Sequence, residues 1–118
     1  MIKPRDIVPA ASAIRERSVA SAADTAAVIT ITGVPGQAVY LHRVQWSYDG
    51  TPTGGKLTVK NGSTGAILWE QAITAAGPGG QDPDEFATVN TDMIVTLAAG
   101  GAGVTGRLAA VRAERVAQ

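Results

Sequence analysis

The chain has 118 residues, no cysteine and a formal net charge of zero. That is enough for one domain, and it excludes disulfide staples, thiolate metal sites and cysteine nucleophiles. The charge is uneven. Lys3, Arg5, Arg15 and Arg17 stand against Asp6 and Glu16 in residues 1–17; Arg43, Lys56 and Lys60 stand against seven acids in residues 18–106; Arg107, Arg112 and Arg115 stand against Glu114 at the end. Neither mildly basic end carries the dense Lys/Arg cluster that phosphate-backbone binding needs, so no direct nucleic-acid binding is expected. No apolar run approaches the roughly 20 residues that span a bilayer, and the N-terminus lacks the apolar segment of a signal peptide. No membrane role is expected.

Alanine supplies 21 residues, Ile and Val together 20, Thr 12 and Leu only 5, with 14 Gly and 6 Pro. β-Branched side chains suit a pleated surface and lose χ1 freedom in a helix, so the composition predicts short strands joined by many turns.

Residues 1–24 stand apart. Pro4 and Pro9 interrupt regular structure, Ala and Ser dominate, and Ile14-Arg15-Glu16-Arg17 suits one helical turn. Two readings remain open: a tail that stays disordered, or an extended arm that orders on a partner. In the second reading Ile2, Ile7, Val8 and Ile14 are apolar anchors, and Arg15 and Arg17 add charge contacts.

From residue 26 apolar residues recur with period two. Ile29 and Ile31 face in, and Gly33-Val34-Pro35-Gly36 ends the strand. The longest strand, 38–49, contains a phase slip: Val39 and Leu41 fall on odd positions, Val44, Trp46 and Tyr48 on even ones. One extra residue beside His42-Arg43, a β-bulge, restores a common face. Leu57 and Val59 alternate with Thr58 and Lys60, and Asn61-Gly62-Ser63-Thr64-Gly65 is a hairpin connection. The return strand presents Ile67, Trp69 and Ile73 on one face and Glu70 and Ala72 on the other. Residues 77–84, rich in Gly, Pro and Asp, read as a loop of low order. Phe86 and Val89 mark one short strand, Val95 and Leu97 another. Residues 104–115 suit either a strand or a short helix, and the strand is favoured. The total is about seven or eight strands, the mark of an antiparallel β-sandwich of jelly-roll type spanning 25–118 behind the arm of 1–24.

Few residues suggest chemistry. Gly101-Ala102-Gly103-Val104-Thr105-Gly106 is a literal GxGxxG, but the rest of a dinucleotide-binding unit does not fit into the 12 residues that follow, so a turn is expected. His42, the single histidine, reads as a strand residue near the bulge, because no Gly-x-Ser-x-Gly elbow or cysteine accompanies it. Asp82, Asp84 and Glu85 lack the EF-hand ligand spacing and read as a solvated loop. Trp46, Tyr48 and Trp69 either fill the core, the favoured reading, or form an aromatic platform for sugars. No catalytic residue, metal or cofactor is expected.

The order Gly55-Lys56-Leu57-Thr58-Val59-Lys60-Asn61-Gly62, then Ile67-Leu68-Trp69, then residues 97–106 resembles that of small β-rich structural proteins of tailed bacteriophages, some of them capsid decoration or head-fibre proteins. The resemblance spans roughly 38–112 and contains no catalytic signature. It implies a β-sandwich subunit, commonly oligomeric, bound to a capsid or tail. The expected function is therefore a non-enzymatic virion protein. The leading form is a trimeric capsid decoration (cement) protein on the major capsid protein, assembled in the host bacterial cytoplasm. The alternatives are a head-fibre or tail-associated subunit and a carbohydrate-binding module.

Overall fold

A computed structural model describes residues 13–14, 17–20 and 25–117, with side chains from residue 25 onward. The described residues form ten strands and no helix: β1 Ala13–Ile14, β2 Arg17–Ala20, β3 Ala27–Ile31, β4 Gln37–Tyr48, β5 Gly55–Asn61, β6 Ile67–Ile73, β7 Gly77–Gln81, β8 Glu85–Phe86, β9 Met93–Leu97 and β10 Gly106–Ala117. They build two antiparallel sheets. In sheet A, β10 and β4 are the long central pair. β1 and β2 lie on the far edge of β10, and β7 and β8 on the far edge of β4. Sheet B has the order β3-β9-β5-β6. The all-β, two-sheet expectation is met, and the segment left between strand and helix is the strand β10.

The period-two pattern explains the core. Ile29, Ile31, Leu57, Val59, Met93, Val95 and Leu97 from sheet B meet Val39, Leu41, Val44, Trp46, Tyr48, Leu108 and Ala110 from sheet A, all buried. The polar partners between them point outward, as alternation requires.

The phase slip falls where the sequence places it, with a difference. Ala110 pairs with Val44 and Ala113 with Leu41, and the ladder is irregular between them, at Val111-Arg112 and His42-Arg43. Both strands change parity together: Leu108 and Ala110 are buried on even positions, Ala113 on an odd one. The slip is thus shared by β4 and β10, and the register on either side is unchanged.

Four other expectations need correction. Residues 77–81, read as loop, are β7, paired to β4 from Val44 to Tyr48. Glycine tolerates this place because a Cβ at Gly79 would lie 2.5 Å from the Trp46 indole; the indole covers a strand that has almost no side chains of its own. Ile67 points outward and is exposed, because pairing skips Leu68 between Trp69 and Ile67. That bulge turns Ile67 over while Trp69 and Ile73 keep facing in. Val89 lies outside β8, and Phe86 within it faces solvent. Ile14 and Arg17, read as one helical turn, belong to β1 and β2.

The GxGxxG segment is the turn from β9 to β10. Gly101 and Gly103 have φ of 102° and 80°, and Gly106 opens a strand rather than a helix. Nearby, the Tyr48 hydroxyl donates to the Ala98 carbonyl at 2.6 Å, and its ring lies against Gly100 and Gly106. Burial pushes the Tyr48 phenol above its ordinary 10.0, with a backbone contact from Lys56 acting the other way. The fold therefore holds this proton more tightly than the unfolded chain does. Stability should be level up to about pH 10 and fall above it as the unfolded chain loses its phenolic protons first. Urea midpoints measured between pH 8 and 11.5 should show that fall, and Tyr48→Phe should make it shallower. An unchanged profile in the variant would remove Tyr48 as a cause.

Candidate functional site on the outer face of sheet A

Alternation that sends Val39 and Leu41 inward sends Tyr40 and His42 outward. On the same face Tyr40 has Phe86 of β8 as its cross-strand neighbour on one side and Glu114 of β10 on the other. The Tyr40 and Phe86 rings stack with centroids 4.3 Å apart and 29° between planes. His42 meets Tyr40 edge-on at 4.2 Å and 78°. Phe86 is 48% exposed, so a large aromatic ring remains open to solvent.

Polar groups frame the rings. The Tyr40 hydroxyl donates to Asp84 Oδ1 at 2.8 Å, and His42 Nε2 lies 3.2 Å from Glu114 Oε1. Arg43 donates from Nη1 to Asp82 Oδ1 at 2.8 Å, its guanidinium lying over Gly80. Asp84 has φ of 51°, in the left-handed region that aspartate tolerates better than most side chains. The hydrogen bond to Asp84 raises the Tyr40 pKa above its ordinary 10.0, with desolvation and the Asp84 and Glu114 charges adding to it.

This face differs from the one considered on the sequence. Trp46 and Tyr48 are 8% and 1% exposed and fill the core, so they form no sugar platform. Trp69 is half-buried and packs against the same core from β6. Of the acidic trio, Asp82 is bound to Arg43 and Asp84 to Tyr40. No group of three or more metal-binding side chains converges among the described residues. His42 sits in β4 at the slip, as read. Of the arm residues, Ile2, Ile7, Val8 and Arg15 fall outside the described residues. Ile14 and Arg17 lie on β1 and β2, opposite Ala113 and Ala110 of β10. The aromatic pair itself was missed. The outward parity of Tyr40 was available as a signal; the proximity of Phe86, 46 positions away in the chain, was not.

No protein-family model matches the chain, and no curated protein matches its sequence. Solved structures of related shape include a carbohydrate-binding module from Cellvibrio mixtus lichenase 5A in complex with cellotriose, with 11% identity, 86% of this chain and 88% of that chain covered, and a TM-score of 0.45. A capsid structure of Helicobacter pylori bacteriophage KHP30 shows 15% identity, 86% and 93% coverage and a TM-score of 0.43. The Drosophila NLP core, whose structure bears on pentamer formation and histone binding, shows 11% identity, 80% and 95% coverage and a TM-score of 0.45. Similarity at this level assigns no activity to the chain.

Proposed function

We propose that the chain is a non-catalytic structural subunit of a tailed-bacteriophage virion: a capsid decoration protein, assembled as a homotrimer, that binds the major capsid protein. The sequence resemblance over 55–62, 67–69 and 97–106 supports this, and those residues form β5 with its turn, β6, and the β9–β10 connection. The observation that carries the reading is the edge of sheet A. β1 and β2 lie along β10 as strands added to a ladder that β10 and β4 already complete. Peripheral strand addition uses main-chain hydrogen bonds, which a neighbouring subunit or capsid edge can offer equally well. In this reading residues 1–24 act as the attachment arm, with Ile2, Ile7, Val8 and Ile14 as apolar anchors and Arg15 and Arg17 as charge contacts. A single arm gains little after its ordering cost, and several arms in one oligomer gain through effective concentration.

The test is cosedimentation of the full chain and of residues 25–118 with undecorated phage heads, after circular dichroism has established that the shortened chain folds. Removal of the arm should weaken binding at least about tenfold, or ~1.4 kcal/mol. Equal binding by a folded shortened chain would dismiss the arm. Binding to tails instead of heads would move the subunit to the fibre or tail.

A further inference from the structure

We propose that the outer face of sheet A around Tyr40 and Phe86 is a saccharide-binding surface. It goes beyond the structural role and does not depend on it, because its residues lie outside the arm.

The chemistry of the rim chooses the ligand. Glu114 and Asp84 would repel an anion, and Arg43 lines the same face against a cation. A wholly apolar partner would strip the remaining water from Glu114 and Arg43, whose pairs with His42 and Asp82 use only part of their hydrogen-bonding capacity. A neutral polyhydroxyl ring meets none of these objections. Its C–H face covers the exposed Phe86 ring, which carries a large apolar area. Its hydroxyls donate to the carboxylates of Asp84 and Glu114 and accept from Arg43 and His42. Side chains of both kinds stand within one cross-strand neighbourhood.

The surface is also prepared for binding. Phe86 stacks on Tyr40, His42 meets it edge-on, and Asp84 holds its hydroxyl. Three contacts fix the Tyr40 ring, and the stack on it restrains Phe86, so the platform loses little side-chain freedom on binding. The row Phe86–Tyr40–Glu114 crosses three strands, and two strand spacings make it roughly 10 Å long. It lies on the outward face of sheet A. Such a row suits a stretch of an extended glycan better than an isolated monosaccharide. Two sources share this chemistry: the polysaccharide of a bacterial surface and a plant-type cell-wall glucan or xylan.

The experiment is a glycan array probed with the full chain, one arm carrying lipopolysaccharide O-chains and the other cellotriose and xylotriose, followed by calorimetric titration of each binder. Binding to at least one arm is expected, weakened about tenfold or more by Phe86→Ala. Phe86 is half-exposed, so this variant should fold. Tyr40→Phe keeps the stacked ring and removes the Asp84 bond, so it should weaken binding less. Val28→Ser, at an exposed site on sheet B, should leave binding unchanged. The binding arm identifies the source. No binding on either arm at millimolar ligand, or binding that Phe86→Ala does not change, overturns the proposal. Capsid binding by the Phe86 variant should persist in either case, which separates this surface from the proposed attachment through the arm.

Discussion

Replacing Trp46 with alanine should lower stability by about 3–5 kcal/mol, the range for removing a buried large aromatic side chain. The indole is 8% exposed near the C-terminal end of β4 and lies over Gly79. Its loss leaves a cavity in sheet A and uncovers β7, whose Gly77-Pro78-Gly79-Gly80 run has little of its own to pack. Two readouts should move together. The urea midpoint should drop by a large part of the total stability, which is ~5–15 kcal/mol for a domain of this size. Amide exchange should also rise in β7 before it rises in β10, since local openings follow local packing. Phe86→Ala is the contrast. It removes a comparable ring from the outer face and should cost no more than about 1 kcal/mol. Similar losses for the two variants would mean that the division between inner and outer faces is wrong.

Gly33→Ala should cost about 3 kcal/mol, at the upper end of what an added methyl group costs in a tight site. A Cβ there would lie 2.7 Å from the carbonyl carbon and 2.8 Å from the nitrogen of Thr91, and both are backbone atoms that no rotamer change can move aside. The same approach lets the Gly33 amide donate to Asp92 Oδ1 at 2.7 Å. It also brings together the turn before β4 and the loop before β9, where Gly36 donates to Asn90 Oδ1 at 2.6 Å. An alanine pries the two loops apart and weakens these bonds as a set. Thermal unfolding of the variant checks this; a midpoint within a degree or two of the parent would show that the loops have slack.

What the sequence discloses follows from how much side chain each strand carries. β5 alternates Leu and Val with Thr and Lys, and Ile29-Thr30-Ile31 of β3 and Val95-Thr96-Leu97 of β9 keep the same period, so these faces are legible directly, whereas Val28 and Ile94, apolar but outward, blur the other ends of β3 and β9. The slip in β4 is legible because Val39 and Leu41 stand out against Trp46 and Tyr48. Its counterpart in β10 is not, since alanine at 109, 110 and 113 looks the same on either face. β7 is invisible locally: glycine and proline signal a loop, and the strand is made by long-range pairing with β4, with the Trp46 indole lying across it. Ile67 was misplaced because the bulge at Leu68 depends on pairing with β5, which the local pattern does not show. The candidate site divides in the same way. Tyr40 and His42 face outward by alternation alone, whereas Phe86 joins them through tertiary pairing of a two-residue strand.

The proposed place of this chain in a virion is tested by the protein content of purified particles. Quantitative mass spectrometry of gradient-purified phage from an induced host strain should find the chain in fixed proportion to the major capsid protein, at a copy number that is a multiple of three. Particles that lack it, while the infected cells contain it, would rule the virion role out.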